Sequence, residues 1–129
     1  MAENYVIWLE NLRMTDVERV GGKNASLGEM ISQLAEKGVR VPGGFATTAE
    51  AYRAFLAHDG LHERISAALA ALNVDDVTEL ARVGAQIRQW ILDTPFPEQL
   101  NAEVEAAWAK MVADAGSDQI SVAVRSSAT

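Results

Sequence analysis

Two short stretches carry residue types suited to handling a phosphate. Gly21-Gly22-Lys23 stands at the start of a run with helical apolar spacing, and Arg125-Ser126-Ser127-Ala128-Thr129 ends the sequence. Glycines let a backbone approach a ligand closely, the unsatisfied N–H groups of a helix start favour an anion, and a lysine ammonium adds a point charge. The planar fork of Arg125 suits two-point contact with phosphate oxygens. The hydroxyls of Ser126, Ser127 and Thr129 can bond phosphate oxygens or cap local backbone. Each stretch alone also fits a plainer role: a loop with an exposed lysine, or an arginine in a surface ion pair. Gly-Gly-Lys is not a Walker-type P-loop, because residue 24 is Asn and no glycine lies five positions before Gly22.

Other chemistry is poorly served. Eleven Lys and Arg against 18 Asp and Glu leave a net charge of −7, which disfavours nucleic acid as a partner, since that binding rests on neutralising phosphates. Any phosphate site must therefore be local, built against the sign of the whole chain. Cysteine is absent, which removes disulfides and thiolate metal sites and suits a reducing compartment. Met1-Ala2-Glu3-Asn4 has no basic start, and the first apolar run, Tyr5 to Leu9, is too short for a signal or membrane segment. The expectation is a cytoplasmic protein with no membrane partner. His58 and His62 have i, i+4 spacing, but Asp59-Gly60 should break the helix between them and no third ligand is evident, so they are read as solvated helix-end histidines. Trp8, Trp90 and Trp108 are read as core or interface residues.

The elements that must position the two stretches follow from periodicity. At 129 residues the chain fits one domain or part of one. Tyr5 to Leu9 predicts a buried strand. Residues 20–26 open a helix with Leu27, Met30, Ile31, Leu34 and Ala35 on its buried face, a Ser26/Glu29 capping box, and Gly38 as its stop. Val41-Pro-Gly-Gly is turn chemistry before a short strand from Phe45, and Thr47 with Glu50 predicts a capped helix carrying Tyr52, Phe55 and Leu56 inward. Leu61 to Leu72 is helical by propensity. Asp75 or Asp76 caps a further helix with Val77, Leu80, Gly84, Ile87 and Ile91 on one face. Thr94-Pro-Phe-Pro97 breaks that helix, and Pro97 starts a last one facing inward with Leu100, Val104, Ala107, Trp108, Met111 and Val112, ended by Gly116. Ile120, Val122 and Val124 then alternate with Ser121, Ala123 and Arg125 as a closing strand. The fold class is α/β (α+β), mostly helical.

Three motifs carry a resemblance. Val20-Gly-Gly-Lys-Asn-Ala-Ser-Leu-Gly-Glu-Met30, Val41-Pro-Gly-Gly-Phe-Ala-Thr-Thr-Ala-Glu-Ala-Tyr52 and Val122-Ala-Val-Arg-Ser-Ser-Ala-Thr129 are similar, in the same order, to the N-terminal nucleotide-binding domain of the phosphoenolpyruvate synthases. These are the pyruvate, water dikinases, in the family that includes pyruvate phosphate dikinase and rifampin phosphotransferase. The stretch from Asp75 to Phe96 resembles the bacterial synthases in particular.

The resemblance implies that residues 1–129 are most of the first lobe of an ATP-grasp domain, the front piece of a larger enzyme cut through its working surface. It implies that Lys23 and Arg125 contact ATP phosphates, with Gly21, Gly22, Ser126, Ser127 and Thr129 in the surrounding loops. The implied reaction turns pyruvate, ATP and water into phosphoenolpyruvate, AMP and phosphate through a phosphohistidine. That histidine, the pyruvate site and the acidic ligands of Mg²⁺ would lie outside this segment, leaving no catalytic or metal residue within it. The implied partners are ATP and, for the whole enzyme, pyruvate and phosphoenolpyruvate; a homodimer is permitted. Two alternatives stay open: a related phosphotransferase of the rifampin phosphotransferase or pyruvate phosphate dikinase type, and a non-catalytic helical binding module. On the first reading Lys23 and Arg125, 102 positions apart, must converge on one polar face.

Overall fold

The computed structural model describes residues 4–129. It divides into two compact units, one of residues up to Tyr52 together with Glu98–Thr129, the other Arg53–Pro97. Helices dominate, with one two-stranded sheet among the described residues. None of the helices is long and apolar enough to cross a membrane.

In the first unit, β1 (Val6–Trp8) pairs antiparallel with β2 (Phe45–Thr47) in the register Val6↔Thr47, Ile7↔Ala46, Trp8↔Phe45. A ribbon of two three-residue strands has little stability of its own, and its neighbours supply what it lacks. The Trp8 and Phe45 rings meet edge to face at 5.7 Å, and the Lys110 ammonium lies 5.3 Å from the Trp8 ring centre. The Glu103 carboxylate accepts the N–H groups of both Tyr5 (2.8 Å) and Val6 (3.1 Å), tying the start of β1 to α6 (Glu98–Ala115).

Two 3₁₀ turns, Leu9–Asn11 and Met14–Asp16, lead into α1 (Val17–Val20) and then α2 (Gly22–Glu36). The core of this unit is Leu9, Leu12, Val20, Ala25, Ile31 and Ala46, with Leu12 fully enclosed. The line that α2 buries is Ala25, Gly28 and Ile31, rather than the expected stripe through Met30 and Ala35, both of which are exposed. The reason is close approach. A Cβ on Gly28 would sit 2.6 Å from Leu12 Cβ and from the carbonyl oxygens of Leu9 and Leu12, so the helix backbone itself packs against the turn. Bulky-residue periodicity passes over such a small-residue seam. Ser26 also lies inside α2 rather than capping it, and Glu29 instead accepts the Met14 N–H at 3.2 Å. The other end agrees with expectation: Gly38 has φ +77, its N–H reaches Ala35 O at 3.0 Å, and Val39 N–H reaches Leu34 O at 2.9 Å, the paired bonds of a Schellman stop.

The cap of α3 (Ala49–Ala57) is Thr48, one residue later than the expected Thr47. Its buried hydroxyl accepts the Ala51 N–H at 3.1 Å, and its own N–H completes the ladder to Tyr5 O at 3.0 Å. The buried positions of α3 are accordingly Ala51 and Phe55, while Tyr52 is 62% exposed.

In the second unit, Asp59 and Gly60 both adopt left-handed φ (57° and 70°), breaking the helix between His58 and His62 and starting α4 (Leu61–Ala70). Asp76 caps α5 (Val77–Asp93) through the Glu79 N–H at 3.1 Å. The face expected for α5 is corrected. Val77, Leu80 and Ile91 are exposed, and burial follows Val83, Ile87, Trp90 and Thr94. Arg64 lies 5.5 Å from the Trp90 ring centre, and the Phe55 and Phe96 rings meet edge to face at 5.8 Å. Back in the first unit, α6 buries Leu100 and Ala107 but leaves Trp108 40% exposed, and it starts at Glu98, just after Pro97. Gly116, at φ +72, closes it.

The expected closing strand is also corrected: residues 119–129 form no strand. Alternation alone does not make a strand, which exists through ladder hydrogen bonds, and the segment pairs with no sheet edge. Its would-be inward Val124 is 92% exposed.

Glycine-to-alanine changes inside helices ordinarily stabilise by up to ~1 kcal/mol. Gly28→Ala should reverse that sign and destabilise by ~1–3 kcal/mol, because the added methyl overpacks against backbone. Gly84→Ala in α5, whose nearest neighbour is the far end of the long Arg88 side chain at 3.4 Å, should keep the ordinary sign. Urea unfolding of both variants checks the pair.

Candidate functional site

The start of α2 is built by a glycine that no other residue can replace without strain. Gly21 sits between α1 and α2 at φ +86, ψ 163, a region open essentially to glycine alone. Its N–H bonds Val17 O at 2.7 Å and its carbonyl accepts Ala25 N–H at 3.1 Å, so Gly21 is both the end of α1 and the cap position of α2. Asn24 reinforces the joint by donating its side-chain amide to Val20 O at 3.0 Å.

A glycine at the cap position has no side-chain oxygen to offer the first turn of the helix. The far end of the sequence supplies it. Ser127 Oγ accepts the Asn24 N–H at 3.2 Å across 103 positions, and Ala128 O accepts the Gly22 N–H at 3.1 Å. The approach is tight: a Cβ on Gly21 would fall 2.2 Å from Ser127 Oγ and within 2.7 Å of its carbonyl group. The two stretches singled out by residue chemistry therefore meet in the first unit.

Of the residues expected at a phosphate site, Gly21, Gly22 and Ser127 are brought into contact. Ser126 and Thr129 are exposed and bond nothing among the described residues. Lys23 and Arg125 are both exposed, and among the described residues neither pairs with a carboxylate. Arg125 is thus no structural ion-pair residue here. Standard backbone dimensions through the Ser127–Asn24 bond bound the separation of the Lys23 and Arg125 α-carbons at roughly 15 Å. Ser127 takes a capping role, across the chain rather than locally, and two first-turn donors of α2 are already satisfied by it and Ala128.

Sequence reasoning passed over Asn24, Glu103 and Ala128. Asn24 carried a usable signal, since asparagine beside a glycine pair commonly bonds nearby backbone. Glu103 and the carbonyl of Ala128 carried none. The perturbed titrations lie elsewhere. The hydrogen bond between Glu79 and Arg82 lowers the pKa of Glu79 and raises that of Arg82, and bonding to Asp114 raises that of Lys110, all at the surface. No group of three His, Cys, Asp or Glu side chains is arranged to hold a metal among the described residues. A surface groove of about 330 Å³ runs along α2 past Met14, Met30, Leu34 and Lys37, and neither Lys23 nor Arg125 lines it.

Residues 17–129 match the family described as pyruvate phosphate dikinase, AMP/ATP-binding domain. Among curated relatives, the sequence is 87% identical to a phosphoenolpyruvate synthase of Neisseria meningitidis serogroup B over 129 residues, covering 100% of this chain and 16% of that protein. It is 61% identical to a phosphoenolpyruvate synthase of Pseudomonas aeruginosa over 125 residues (97% of this chain, 16% of that protein). It is 55% identical to one of Escherichia coli over 124 residues (96% of this chain, 15% of that protein). The chain thus spans about a sixth of the length of these relatives, 16%, 16% and 15% in turn.

The geometry at the two glycines makes opposite expectations. Gly21→Ala should displace the 126–128 segment and lower the melting temperature, because it meets both a forbidden φ and a filled space. Gly22→Ala, with open space around it and an ordinary helical backbone, should leave the melt unchanged or raised. Thermal unfolding of the two variants side by side distinguishes them.

Proposed function

The chain belongs to the pyruvate phosphate dikinase AMP/ATP-binding domain family, and on that premise we propose that it forms part of the ATP site of a phosphoenolpyruvate synthase. The whole enzyme would convert pyruvate, ATP and water to phosphoenolpyruvate, AMP and phosphate through a phosphohistidine outside these residues. The observation that carries this reading is the docking of Ser127 and Ala128 on the start of the Lys23 helix. With it, one unit of an otherwise acidic chain carries two exposed cations that have no carboxylate partner among the described residues. A helical module without nucleotide chemistry would account for the cap on α2 but gives no reason for two cations beside it with no carboxylate partner among the described residues.

In this reading Lys23 and Arg125 act on charge. Phosphoryl transfer needs little covalent help from a protein; it needs positioned positive groups where negative charge gathers on the transferring phosphoryl oxygens. Lys23 serves as a point charge and Arg125 as a two-point fork. The lobes of an ATP-grasp domain and a cytoplasmic location belong to the same proposal. The reaction implies Mg²⁺, but the described residues offer no group of three ligands for it. On the same family reading its ligands are assigned to the part of the relatives' length that this chain does not span.

The test uses the full-length enzyme containing this segment. Arg125→Lys keeps the charge and loses the fork, so kcat should fall at least ~10-fold, equivalent to ~1.4 kcal/mol of transition-state stabilisation, with a smaller change in KM for ATP. Lys23→Ala should also lower kcat. Neither should move the melting temperature, since both side chains are exposed. Wild-type turnover by Arg125→Lys, or a collapsed melt, would remove Arg125 from the reaction.

A further inference from the structure

Of the three hydroxyls near Arg125, only Ser127 is half-buried and engaged, and its acceptor capacity is directed at the Asn24 N–H. We propose that Ser127, seated against Gly21, is a positioning residue that sets Arg125 relative to Lys23, and is not itself a phosphate ligand. The proposal rests on the ATP-site reading above.

The geometry supports it on three counts. The attachment is two-point: Ser127 Oγ holds Asn24 N–H at 3.2 Å and Ala128 O holds Gly22 N–H at 3.1 Å, so the segment is fixed in direction as well as place. Both bonds land on residues adjacent to Lys23, one on each side. Arg125, two residues before Ser127, has no hydrogen bond or ion pair of its own among the described residues, so no polar contact of its side chain holds it in place. Gly21 completes the lock from below, because the Ser127 side chain and carbonyl occupy the space in which any Cβ at position 21 would stand. A cation held this way meets its ligand with its backbone already ordered, and the ordering cost is met on folding rather than on binding. Ser126 and Thr129, exposed and unbonded, have no such duty.

The experiment is a double-mutant cycle in the full-length enzyme, comparing Ser127→Ala, Arg125→Ala and both together, with Ser127→Thr as the conservative variant. ATP affinity is read by calorimetry, and amide exchange is followed at residues 22–24. Ser127→Ala should weaken ATP binding about fivefold, the scale of a lost helix cap, and should speed exchange at Asn24. Combined with Arg125→Ala it should add nothing, because its effect runs through Arg125. Ser127→Thr, which keeps the oxygen, should stay within about twofold of wild type on the same scale. Additive losses would make Ser127 an independent nucleotide contact and overturn the proposal, as would unchanged Asn24 exchange in Ser127→Ala or a Thr variant as weak as Ala. If Arg125→Ala leaves ATP affinity intact the proposal falls, and if kcat is intact as well the ATP-site reading falls with it; accelerated Asn24 exchange in Ser127→Ala would then identify the lock as structural only.

Discussion

The start of α2 is a helix terminus without a cap of its own, and much of the first unit is arranged around that deficit. Gly21 is needed there because the chain passes from α1 to α2 through a backbone conformation closed to side chains. The same choice removes the oxygen that a serine or aspartate would have given the first turn. Exposed to water, those N–H groups would be cheaply solvated. Here they are answered by Ser127 and Ala128, and two stretches 103 positions apart become one surface. A local conformational requirement has thus produced a long-range contact.

A second constraint works one turn further on. Gly28 lets the α2 backbone lie against the Leu9–Leu12 turn, and Leu12, fully enclosed, fills the space beneath. Together with Ala25 this seam fixes the height of α2 over the turn, while Glu29 reaches back to the Met14 N–H on the flank. The position of Lys23 relative to the core therefore follows from small residues and backbone contacts more than from bulky side chains. Of the bulky residues of α2 only Ile31 is buried: Met30 is 43% exposed, whereas Ala25 is fully covered.

The residues that made the fold legible were those whose signal is local. Gly38, Asp76 and Gly116 mark helix ends through their own backbone or side chain, and each acts as expected. The break at Asp59-Gly60 is of the same kind. What was illegible depended on partners distant in sequence. The faces of α2 and α5 are decided by what packs on them, and residues 120–124 alternate in sequence without a sheet edge to pair with. In the candidate site, residue chemistry singled out both stretches that meet. It did not reveal that Ser127 would be engaged with backbone, since a hydroxyl beside a turn suits either partner equally.

The first unit is discontinuous in sequence, with Arg53–Pro97 inserted between its two parts. On the ribosome this sets an order of events. The first strand and α2 emerge early but remain without Glu103, which later gathers the N–H groups of Tyr5 and Val6, and without Ser127, which later caps α2. The inserted helices, held by contacts close in sequence, can consolidate first. At a synthesis rate of roughly 5–20 residues per second, the early segment waits several seconds for its closing contacts. During that interval the small ribbon and the uncapped helix start are the nascent chain's exposed liabilities, and the surface that carries Lys23 and Arg125 is among the last parts of the unit to take shape.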